Sequence, residues 1–117
     1  RIISMKIISH LNDMLKPLLD GFISRYKDDY NPNCFGDTFQ TLKTPTILFE
    51  SGHYKNDYNR ENVRKYMCLA QISAIISVSS NSFLQYCTSD YYQIKENGKN
   101  FTDILLKNIK IKKKEWL

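Results

Sequence analysis

The chain has 117 residues and a formal net charge of +5, with 42% hydrophobic and 13% aromatic residues. That length and apolar content suit a single domain or a fragment of one, residues 1–117, and exclude a disordered chain, a fibre and two independent domains. Lys, Asn or Asp interrupts every apolar stretch short of the roughly 18 residues that a spanning helix needs, so no membrane partner is expected.

Ile3, Ile7, Met14 and Leu18, with Ile8, Leu11 and Leu15 beside them, recur at three- and four-residue spacing and predict an amphipathic helix up to Pro17, packed on a sheet. Pro17 and Gly21 end or kink it, because proline lacks the donor that a continuing helix uses. The opening RIISMKIISHLNDML has no small-residue cleavage site after its apolar stretch and reads as a helix rather than a secretory signal. A cytoplasmic location is slightly favoured for this chain, but an upstream part of a longer protein could hold a signal, so the compartment is unknown.

RYKDDYNPNCFG, residues 25–36, is dense in Asp, Asn, Pro and Tyr and predicts an irregular loop. Thr44 to Glu50, with TILF after Pro45, predicts a buried strand that ends at a carboxylate. After the polar turn GHYKNDYN comes the strongest helix, Arg60 to about Val78. Val63, Met67, Ala70, Ala74 and Ile75 mark one face, and Tyr66, Leu69, Ile72 and Ile76 widen it, so packing on more than one side is expected. Ser77 to Ser82 ends that helix, Asp90 to Gly98 forms a polar connection, and Asn100 with Asp103 starts a last helix through Phe101, Ile104, Leu105 and Ile109. Gly36 to Phe39 and Tyr91 to Ile94 are the further strand candidates. One or two strands are too few for a stable sheet, which points to a missing N-terminal portion.

Cys34, Cys68 and Cys87 form no CxxC or CxxH pair and read as buried thiols. The basic excess lies toward the C-terminus, in Lys107, Lys110, Lys112, Lys113 and Lys114, where cations suit a solvated helix end. No interleaved aromatic platform or established motif accompanies these lysines, so nucleic acid is not an expected partner. His10 and Asp13 form a His-x-x-Asp pair, and His10 is read as a helix-surface or packing histidine.

The most informative stretch is CFGDTFQTLKTPTILFESGHYKNDYNRENVRKY, Cys34 to Tyr66. It resembles the late part of the zinc carboxypeptidase family, in a bacterial branch where a Gly-Asp-Thr-Phe segment precedes Pro-Thr-Ile-Leu-Phe-Glu and an Asn-Asp-Tyr turn opens the next helix. The resemblance implies an α/β fold class, the C-terminal portion of a mixed-sheet zinc carboxypeptidase-like fold with helices packed on the sheet. It implies a hydrolase, a metallopeptidase acting on a peptide or peptide-like substrate. In that family the strand-end glutamate activates a zinc-bound water as general base and returns the proton to the leaving amine, and Glu50 holds the matching position. Partial desolvation at a strand mouth would tune such a carboxylate toward that work. The other reading of Glu50 is an ion pair with a nearby Lys or Arg.

The family binds zinc through a His-x-x-Glu pair and a later histidine, all well upstream of the glutamate. This chain has no HxxE, so no metal ligand is assigned to it. Zinc is expected in the full-length parent and none in this chain alone, which makes the upstream part of the same protein its partner. The family's mobile substrate-covering tyrosine is best matched by Tyr30, with Tyr26 the other candidate and a packed tyrosine the competing reading. His53 is open to three roles: orienting Glu50, touching substrate, or bonding the loop backbone. Asp37 either shapes the pocket or serves as a Gly-Asp turn residue. Arg25, Arg60 and Arg64 do not inherit the family's upstream substrate-carboxylate arginines and read as surface or loop-pairing residues. The alternative function is a non-catalytic ligand-binding or interaction domain with the same fold.

Overall fold

The computed structural model describes residues 1–27 and 29–98. They form helices α1 (Ile2–Leu19), α2 (Phe35–Thr41) and α3 (Glu61–Ser79), a 3-10 turn at Ser82–Gln85, and helix α4 (Thr88–Gln93). Helix accounts for 56% and extended bridge for 2% of the described residues. The expected α/β mixed sheet is therefore corrected to a helical architecture: the extended pairing among the described residues is an isolated parallel bridge between Arg25 and Glu96.

The predicted strand Thr44–Glu50 lies in a stretch, residues 44–54, without regular structure, and its Leu48 is 62% exposed. β-branched residues favour extended backbone, but a strand exists only when a neighbouring segment takes up its N–H and C=O groups in a ladder; among the described residues the Thr44 N–H alone is taken up, by the Phe39 carbonyl at 2.9 Å. The other two strand candidates are helical. Gly36 to Phe39 lies inside α2, with Asp37 in the first turn, and Tyr91 to Ile94 overlaps the end of α4. Asp90 closes a capping box there, accepting the Cys87 backbone N–H at 2.7 Å. Such local acceptors start a short helix, which packing against α1 then supports.

α1 runs through Pro17 rather than stopping at it, and ends before Gly21, whose φ of 78° suits a residue without Cβ. It packs not on a sheet but against α3, α4 and the 3-10 turn. Met5, Ile7, Leu11 and Leu15 supply most of the apolar core, and α3 meets them with the small side chains Ala70, Ser73 and Ser77. Small residues at three- and four-residue spacing let two helix backbones approach closely.

The wider apolar face of α3 is not covered: Ile72, Ile75, Ile76 and Val78 are 48%, 68%, 47% and 51% exposed. Packing on more than one side is thus corrected to packing on one, among the described residues. α2 packs against none of the other described helices.

Arg25 ties the loop after α1 to the end of α4. Its backbone N–H donates to Lys95 at 2.8 Å, its Nε to the Ile94 carbonyl at 3.1 Å, and its guanidinium pairs with Glu96 at 3.0 Å. The same guanidinium lies over the Tyr92 and Tyr91 rings. No described helix is long and apolar enough to cross a membrane. The predicted last helix at residues 100–109 and the lysine cluster lie outside the described residues.

Candidate functional site

Glu50 stands exposed near the middle of the irregular stretch, and among the described residues it forms no hydrogen bond or ion pair. His53, three residues on, is exposed too, and none of the described hydrogen bonds involves it. The backbone between them is held. Arg60 directs one guanidinium nitrogen at the Ser51 hydroxyl at 3.1 Å, the Gly52 carbonyl at 3.3 Å and the Ser51 carbonyl at 3.4 Å.

Arg60 precedes α3 in a left-handed conformation, φ 59°, and its carbonyl accepts the first helical N–H, from Arg64, at 2.9 Å. Asp57 closes the same helix start. Its carboxylate accepts the backbone N–H groups of Val63 at 2.9 Å and Asn62 at 3.1 Å. Desolvation pushes the Asp57 carboxyl up, but the Val63, Asn62 and Glu61 N–H groups and the Asn62 side chain outweigh it, so it sits below the ordinary carboxylate value. Arg64 and Glu61 pair one turn further on.

Tyr54 follows His53 and stands between Phe22 and Tyr66, with ring centroids 5.8 and 5.6 Å away, which fastens this end of the loop to α3 and to the turn after α1. The adjoining Tyr66 phenol raises the Tyr54 phenol above its ordinary value. At the other end Thr46 Oγ1 donates to the Gly36 carbonyl at 3.1 Å, joining the stretch to α2.

Tyr30 and Asp37 come together elsewhere. With Arg1, Gln40 and Thr41 they line an open depression of about 240 Å³, and neither Glu50 nor His53 belongs to its lining. Asp37 accepts the Asn31 backbone N–H at 2.8 Å, so its carboxylate also shapes the Tyr30 loop. Tyr26 is 53% exposed outside that depression.

A polar cluster between helices had only a faint signal in the sequence. His10 Nδ1 lies 2.8 Å from Ser77 Oγ, the His10 ring stacks on Tyr86 at 5.3 Å, and the Tyr86 hydroxyl donates to Asp13 at 3.0 Å. Burial first, then the hydrogen bond to Asp13 and its charge, holds the Tyr86 phenol above the ordinary value. Ser77 is fully buried, so no substrate reaches its hydroxyl, and the cluster is a packing device. The His10 to Asp13 spacing was the clue; its partners came from α3 and the residue after the 3-10 turn.

Among the described residues no group of three His, Cys, Asp or Glu side chains could hold a metal ion. The cysteines are not the buried thiols expected: Cys68 and Cys87 are exposed, Cys34 is half-buried, and all three are free. Cys87 forms the N-cap of α4, where its sulfur donates to Asp90 at 3.1 Å. Comparison with protein-family models, curated proteins and solved structures finds no match to the chain.

Proposed function

We propose that this chain is the Glu50-bearing segment of a zinc-dependent carboxypeptidase-like hydrolase. It acts on a peptide or peptide-like substrate only together with an upstream part of the same protein that carries the zinc ligands. The resemblance across Cys34 to Tyr66 motivates the reading. The observation that supports it best is Glu50 itself, a carboxylate exposed and unpaired among the described residues, on a backbone gripped immediately after it. The desolvation expected at a strand mouth is not supplied by the described residues, and the carboxylate stands open to a substrate or to the upstream part.

The described residues do not fit a zinc site, so no step through the metal is assigned to them. Their share is proton handling by Glu50, with His53 beside it, and substrate contact through Tyr30 and Asp37. Those two groups lie on a depression that excludes Glu50, so the upstream part must complete the site that joins them.

A second reading is a non-catalytic interaction domain, favoured by the uncovered apolar face of Ile72, Ile75 and Ile76. Zinc content and carboxypeptidase activity, measured for this chain and for a longer protein carrying the His-x-x-Glu pair, separate the two. Zinc and activity in the longer protein alone, abolished by Glu50→Gln, are expected. Full activity in Glu50→Gln would favour the interaction domain, and tight zinc in this chain alone would overturn the division of labour.

A further inference from the structure

We propose that Arg60 is the positioning residue for Glu50, an inference that rests on the hydrolase reading above. A carboxylate that moves protons must be held within a fraction of an ångström of its working place, because a misplacement of about 1 Å can cost on the order of 100-fold in rate. Glu50 lies in a stretch with no regular structure to hold it. The firm element nearby is α3, and Arg60 connects the two.

The connection begins in the backbone. Arg60 N–H donates to the Asp57 carbonyl at 2.9 Å, the Arg60 carbonyl receives the Arg64 N–H, and the Asp57 carboxylate accepts the next free N–H groups of the helix. The Cα of Arg60 is therefore fixed at both sides. From that point its guanidinium reaches back to three oxygens of Ser51 and Gly52, the two residues directly after Glu50. A single terminal guanidinium nitrogen faces all three oxygens, and its two hydrogens are shared among them. The bond to the Ser51 hydroxyl, at 3.1 Å, is of ordinary length and the two to carbonyls, at 3.3 and 3.4 Å, are long; together they tie the exit of the backbone from Glu50 and the approach to His53 to Arg60.

The backbone of Arg60 also supplies a clean test. Its φ of 59° is a conformation that glycine adopts without strain, so Arg60→Gly removes the guanidinium while leaving the start of α3 free to form. In this chain, amide relaxation should show the order parameters of Gly52 and His53 falling from about 0.85 toward 0.6 or below in Arg60→Gly, with α1 and α3 unchanged. In the complete hydrolase, kcat should fall roughly 10- to 100-fold with KM within about twofold. Arg60→Lys should recover part of the loss.

Unchanged order at Gly52 and His53 in Arg60→Gly overturns the inference, as does full kcat with a loosened loop. Glu50→Gln run beside it keeps the two ideas apart. If Glu50→Gln retains activity, the hydrolase reading fails and takes the catalytic part of this inference with it, whereas anchoring of the loop is judged on the relaxation data alone.

Discussion

His10 of α1 and Ser77 of α3, 67 positions apart, share a contact of 2.8 Å between Nδ1 and Oγ at the place where the two helices press together. The serine is fully buried, the histidine half-buried, and Tyr86 covers the imidazole. Ser77→Ala removes a hydrogen bond but leaves His10 able to reach water, so a loss of about 1 kcal/mol is expected. Ser77→Leu forces a large side chain into a filled site and should cost about 1–3 kcal/mol or more. Urea unfolding of both variants checks this, and a Ser77→Leu protein as stable as the parent would show that the helices are not closely packed here.

Acid should loosen the start of α3 through Asp57. Its carboxyl is held below the ordinary value of 3.8, so the stabilisation is fully present above that pH and is lost as pH falls through the lower, folded value. Asp90, lowered first by the backbone N–H of Cys87 and then by its thiol, acts in the same direction at α4. Melting temperatures at about pH 7 and pH 2 should therefore converge partly in Asp57→Ala and further in Asp57→Ala/Asp90→Ala, both melting lower than the parent at neutral pH. Equal acid sensitivity in parent and double variant would rule the two caps out.

The uncovered face of α3 should report itself in solution. Ile75 is 68% exposed, beside Ile72 and Ile76, and contiguous apolar surface of this kind draws hydrophobic dyes and promotes association. Ile75→Lys should lower dye binding and self-association while changing stability by no more than about 0.5 kcal/mol. Loss of helical circular dichroism in that variant would mean that Ile75 belongs to the core.

Glu50→Gln should be silent in the stability of this chain, within roughly 0.5 kcal/mol, since the carboxylate has no partner among the described residues to lose. Thermal melts of the two proteins test it. A shift of several degrees would expose a structural role and weaken the case for a free proton-transfer group.

The sequence by itself determined the two long helices, because Ile7, Leu11 and Leu15 on α1 and Met67, Ala70 and Ala74 on α3 recur at a spacing that only a helix gathers on one side. Composition was equally informative for the polar run that leads to α2, where Asn, Asp and Pro oppose regular structure. What Thr44–Glu50 becomes was not legible, since an apolar β-branched run is a strand only if another segment supplies its hydrogen bonds. The sequence placed Ala70, with Val63, Met67 and Ala74, on the less exposed side of α3, but it did not disclose the two serines buried there. Ser73 and Ser77 look polar in the chain, yet a small hydroxyl with a partner such as His10 costs little to bury, while the isoleucines around the helix stay in water because no described element reaches them. The resemblance pointed to Glu50; the fold decided that it stands in the open, and that the nearest firm hold on it is an arginine at the mouth of α3.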